Sequence, residues 1–76
     1  MKDLVGKKHV FEDGNVIEIF QIKMREVNGE NVPVVTYHIY QGNSLPRKLL
    51  LTYKEFAGNF GHLFGINNDD IQSNDV

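Results

Sequence analysis

The chain is expected to be mainly β: a small antiparallel barrel or strongly bent sheet carrying one short C-terminal helix. Three observations predict it. Two turn dipeptides, Asp13-Gly14 and Asn28-Gly29, each separate runs with alternating apolar residues, and such pairs supply the positive φ angles of tight hairpin turns. Between them lies a stretch far longer than the usual strand of about 5–6 residues. Late in the chain Thr52-Tyr53-Lys54-Glu55 precedes an aromatic stripe, the pattern of a helix N-terminus.

Taken in order, "KKHVFEDGNVIEIF" (7–20) reads as a first hairpin about Asp13-Gly14. A two-residue turn there would set His9 opposite Glu18. The second strand runs from Asn15 to Val27 between the two turns and, at this length, should bend. Its core-seeking residues are Ile17 and Ile19, then Phe20, Ile22 and Met24. The parity changes at the Ile19-Phe20 step, which turns the buried face over unless the strand bulges or bends there. A two-residue turn at Asn28-Gly29 sets Val27 opposite Glu30, Met24 opposite Pro33, Ile22 opposite Val35 and Phe20 opposite Tyr37. Phe20, Ile22, Met24, Val35, Tyr37 and Ile39 then share an apolar face. Gln21, Lys23, Arg25, Val34, Thr36 and His38 share a wetter one, as in an antiparallel pair with one solvated side.

Gln41–Ser44 forms a turn, and Leu45–Leu51 a fourth or fifth strand with Pro46 confined to its start or an edge. Leu49 and Leu51 point one way and Leu50 the other. Leu50 is expected beneath the helix, the alternative being an exposed apolar patch. Phe56, Phe60, Leu63 and Phe64 stripe a helix of about residues 53–64, which Gly58 and Gly61 weaken by about 1 kcal/mol each. The helix therefore depends on docking, and Gly65 suits its end. The domain is expected to span residues 1–64, with 65–76 a flexible acidic tail that frays from about Ile66.

Seventy-six residues allow one domain, with a stability near the low end of the usual range, about 5 kcal/mol. Cysteine is absent, which removes disulfides and thiolate metal sites and favours an intracellular setting, the cytoplasm. No stretch has the length of a signal-peptide core or of a membrane span. The net charge is −2, and the last twelve residues hold three acids and no base. The remaining chain is close to neutral, too weak a bias to argue nucleic-acid binding from charge alone.

No motif for catalysis is present. His9, His38 and His62 lack metal-ligand spacing. Ser44 and Ser73 lack a sequence-identifiable base, and there is no nucleophile elbow, phosphate loop or dinucleotide fingerprint. No catalytic residue, metal or cofactor is assigned. The candidate binding residues are Lys23, Arg25, His38, Tyr40, Arg47 and Lys48. Bases near stacking rings are what small single-strand-binding barrels use, although a solvated face that discourages edge aggregation accounts for the same charges.

The meander, with "KKHVFEDGNVIEIFQIK" and "PRKLLLTYKEFAGNFGHLF", resembles small barrels of the Src-homology-3-like type. It also resembles small proteins encoded by bacteriophages of marine bacteria. That likeness covers residues 6–64 and implies a protein expressed in a host bacterial cytoplasm. The absence of Trp argues against the proline-rich-peptide mode of signalling Src-homology-3 domains. The expected function is a non-enzymatic accessory or regulatory module, a monomer or weak dimer, that contacts another protein. RNA or single-stranded DNA on a basic sheet face is the second reading, and no membrane role is expected.

Overall fold

The structure, a computed structural model, describes residues 3–66. Four antiparallel strands, β1 (Lys8–Val10), β2 (Val16–Val27), β3 (Glu30–Tyr40) and β4 (Arg47–Thr52), form one sheet in the order β1-β2-β3-β4. A helix α1 (Tyr53–Phe60) and a 3-10 turn (Gly61–Leu63) follow. The sheet is open, with β1 and β4 at its edges. Among the described residues there is no fifth strand, so the bent-sheet form of the expected fold is the one adopted.

β2 contains the decisive irregularity. Its ladder with β3 pairs Ile17 with Ile39 and Ile19 with Tyr37, then resumes with Gln21 opposite Thr36 and Ile22 opposite Val35. Phe20 is the extra residue of a β-bulge, which bends the strand. Ile17, Ile19 and Ile22 consequently lie on one face of the sheet, the inner face. Phe20 does not join them. It has no cross-strand partner and is 50% exposed, which corrects the expected Phe20–Tyr37 pair.

The turns differ in kind. Asn28 and Gly29 both have positive φ, 52° and 83°, and join Val27 to the facing Glu30. At the first hairpin only Gly14 does, at 89°. There the Phe11 N–H donates to Asn15 and the Gly14 N–H to Phe11. Asp13 accepts from the Asn15 N–H at 3.0 Å. The loop is therefore one residue longer than a two-residue turn. It pairs His9 with Ile17 and Lys8 with Glu18, so His9 does not face Glu18.

The inner face meets α1. Leu4, Ile17, Ile19, Val35, Tyr37, Tyr53, Phe56, Ala57 and Ile66 form the buried core, with Leu49 and Leu51 packed against it. Leu50 points to the other side and is 48% exposed, since α1 lies over its two neighbours. The Phe56 ring sits 5.3 Å from Tyr37, 5.3 Å from Phe60 and 5.8 Å from Phe64. The helix begins on a full capping box, the Glu55 N–H donating to Thr52 Oγ1 at 3.2 Å and the Thr52 N–H to Glu55 Oε1 at 3.4 Å.

Its end is fixed by a close approach. Gly65 adopts φ 73°, and the Ile66 N–H returns to the Gly61 carbonyl at 2.9 Å. A Cβ at Gly61 would meet the Ile66 carbonyl oxygen at 3.2 Å. Ile66 is thus core, 7% exposed, and the expected domain end at residue 64 moves beyond it. Residues 67–76 of the expected tail lie outside the described residues. Leu4, 1% exposed, closes the other end of the core. The Gly6 N–H donates to the Ile19 carbonyl at 2.8 Å, and Ile19 returns a bond to Lys7.

Phe56→Ala is expected to remove about 3–5 kcal/mol, most of the stability of so small a domain, while Lys23→Ala on the solvated face stays within about 0.5 kcal/mol. Thr52→Ala should lie between, near 1 kcal/mol. Urea unfolding followed by circular dichroism reads all three, and equal midpoints for Phe56→Ala and Lys23→Ala would contradict the face assignment.

Candidate functional site

Strand register sorts the candidate residues. On β3 the residues Val32, Val34, Thr36, His38 and Tyr40 face away from α1, and their partners do the same. The outer face therefore also holds Lys8, Glu18, Gln21, Lys23, Arg25, Lys48 and Leu50. Five of the six candidates, Lys23, Arg25, His38, Tyr40 and Lys48, share this face. Arg47 does not. It pairs with Ile39 on the helix side, near enough to Tyr37 to draw that phenol's pKa down, although burial dominates and leaves it raised. Adjacent residues of one strand point to opposite faces, so "RK" at 47–48 cannot serve one surface.

One row crosses all four strands: Lys8, Glu18, His38 and Lys48 stand side by side. Glu18 is its hub. The Tyr40 hydroxyl donates to Glu18 Oε1 at 2.7 Å, Lys8 Nζ lies 3.9 Å from Oε2, and His38 Nδ1 lies 3.9 Å from Oε1. The central pair is sheltered, at 20% and 21% side-chain exposure, whereas Lys8 keeps 60%. The donated hydrogen bond, then desolvation and the carboxylate's charge, hold the Tyr40 pKa above the usual 10.0.

Phe20, which was expected in the core, is the member that alternation misplaced. Its ring is 4.8 Å from that of His38, which in turn is 6.2 Å from Tyr40. Three rings thus run along β3 on the outer face, from the level of Thr36 to the strand's end. Cations stand at both edge strands, Lys8 and Lys48, and beyond the bulge, Lys23 and Arg25. The sequence pairs Glu18 with His9, and the register beyond the bulge sets it opposite His38 instead.

Beyond Lys23 and Val34 the sheet narrows. β4 pairs with β3 only as far as Val34–Thr52, and the β2–β3 hairpin continues alone to its turn. Met24 lies on the inner side as expected, but α1 does not reach it and it is 62% exposed. The structure measures 42 × 24 × 18 Å, and this two-stranded arm is its most slender part.

Among the described residues no group of three or more His, Asp or Glu is placed to hold a metal ion, and no helix is long and apolar enough to cross a membrane. Compared with known protein families, curated proteins and solved structures, the chain matches none at a significant level.

A raised Tyr40 pKa means that the fold favours the protonated phenol. Its contribution to stability is full below pH 10 and is lost as pH climbs through the folded pKa. Ultraviolet titration of the three tyrosines should show a step above pH 10 that Tyr40→Phe deletes and Glu18→Ala moves down. A step unchanged in Glu18→Ala would mean that the 2.7 Å contact is not made in solution.

Proposed function

We propose that the chain is a non-enzymatic binding module that works through the helix-free face of its sheet, and that this face takes single-stranded RNA or DNA. The observation that supports this most directly is the coincidence, on one helix-free surface, of the rings of Phe20, His38 and Tyr40 with Lys8, Lys23, Arg25 and Lys48. Single-strand binders combine a cationic track with rings on which bases stack. An open antiparallel sheet bearing aromatic side chains is a recurrent platform for unstacked bases.

A protein partner, the expectation from sequence, is the second reading, and the arm with its exposed Met24 and Val27 is what favours it. The outer face itself fits that role less well. Protein interfaces concentrate apolar residues at a dry centre, whereas here Val10 and Leu50, 63% and 48% exposed, lie on opposite edge strands. Three strand spacings and four residues of register, roughly 19 Å in all, separate them, with the Glu18–Tyr40 pair and His38 between them, and Phe20 is the one large apolar side chain exposed between the two edges.

Fluorescence anisotropy with a labelled single-stranded oligonucleotide at low salt tests the proposal. Contact with three or four phosphates gives a slope of log K against log salt near −2 to −3, at about −0.7 per phosphate for single strands. Lys23→Ala, Arg25→Ala and Lys48→Ala should each flatten the slope by about 0.7, and Arg47→Ala, on the other face, should leave it unchanged. Absence of binding at low salt, or salt-tolerant capture of a single protein species by the wild type alone, transfers the assignment to the protein reading.

A further inference from the structure

The bulge at Phe20 does nothing for the alternation of the core. With residue 20 left out, β2 would read Ile17 in, Glu18 out, Ile19 in, Gln21 out, Ile22 in, Lys23 out, an unbroken pleat with the same partners on β3. The inserted residue interrupts the ladder and leaves one residue unpaired. What it adds is a phenyl ring on the outer face, half exposed and 4.8 Å from the His38 ring. An exposed Phe is among the least expected occupants of such an insertion, because a polar residue would bulge equally well and keep its contact with water.

The neighbourhood says what the ring is for. Phe20 and Gln21 together oppose Thr36, so both sit over the centre of the sheet. Glu18 and His38 lie on one side of Thr36 along the strands and Lys23 on the other. Lys8 and Lys48 stand on the edge strands in the Glu18–His38 row, and Leu50, 48% exposed, flanks Thr36 on β4. An exposed ring with Lys8, Lys23 and Lys48 in the adjacent rows matches a polymer with flat faces and a charge on every unit.

Building on the proposed function, we infer that Phe20 is the base-stacking residue of the outer face, and that the bulge exists to present it to one nucleobase of a single strand. His38 backs the ring from one side, and the free half accepts the base. The contact reads a π-face, so it is tolerant of base identity, while the surrounding cations hold the phosphates.

Two probes separate stacking from simple charge attraction: a single-stranded oligothymidine, and an abasic strand of equal length that carries the same phosphates without bases. The wild type is expected to prefer the base-bearing strand, and Phe20→Ala to lose on the order of tenfold affinity for it while binding the abasic strand unchanged. Phe20→Trp should retain the preference. Because the chain has no other Trp, its indole emission should be quenched by oligothymidine and not by the abasic strand. Deletion of Phe20 should fold, by circular dichroism and cooperative melting, and lose the preference as Phe20→Ala does. Equal affinity of wild type and Phe20→Ala for oligothymidine, or an indole blind to it, overturns the assignment of Phe20 and leaves the binding face standing. A wild type that binds neither strand overturns the face and the residue together.

Discussion

The fold depends on where β2 accommodates the one residue it carries beyond a regular pleat. This strand must bury Ile17 and Ile19 near its start and Ile22 beyond its middle, and no regular pleat places 19 and 22 on one side. Phe20 absorbs the mismatch. With it bulged out, three isoleucines face Ile39, Tyr37 and Val35 across the ladder, and the inner face becomes continuous enough for a helix to dock. The same event bends the strand and fixes which charges remain outside. Core and surface are thus two results of a single register shift.

α1 is eight residues long, too short to hold as a helix by itself in water. It is kept by its ends and its rings. The capping box satisfies amides at the start, and the Ile66 amide returning to Gly61 closes the finish. Between them Phe56, fully buried, joins Tyr37, Phe60 and Phe64. One short helix covers only part of one face. The outer face and the end of the β2–β3 hairpin therefore carry no second layer, and on the outer face only the central Val34 and Thr36 are buried. An isolated two-stranded ribbon is marginal, so the arm takes its order from the four-stranded sheet at its base.

Much of this was legible in the residues. The Asn28-Gly29 turn, the partners of Met24 and Ile22, the capping box and the helix-ending Gly65 follow from local chemistry acting over a few positions, and all are found. The parity break was legible too, but not which residue would leave the row, because an apolar Phe beside an apolar Ile satisfies either assignment. Only the loss of a hydrogen-bonded partner identifies Phe20. The His9–Glu18 pairing failed because Asp-Gly serves two loop lengths, and the Asp13 carboxylate gripping Asn15 decides between them. Leu4 and Ile66 sit in short segments without periodicity, so nothing in their surroundings marked them as core. Lys23, Arg25 and His38 followed from strand parity, whereas Arg47 and Lys48 were grouped by adjacency, which a strand splits between two faces. Glu18 was legible only as a partner for His9, and the register sets it beside His38 instead.

A chain of net charge −2 is an unexpected host for a polyanion, and the outer face shows why net charge is the wrong measure. At physiological salt a charge is felt over about 8 Å, less than the roughly 14 Å between the edge strands. A phosphate over Lys48 therefore responds to Lys48 and its immediate neighbours, and not to Asp13 at the far turn. The carboxylate that matters is Glu18, and it is already engaged by Tyr40 and Lys8. Its central place, with Lys8 and Lys48 on the edge strands either side, repels phosphate from the middle of the sheet and leaves the middle to groups without charge. A strand whose phosphates follow the margins and whose bases lie inward meets the rings of Phe20, His38 and Tyr40 there. On this reading the acid does not weaken the basic face; it sets the orientation in which a single strand can lie on it.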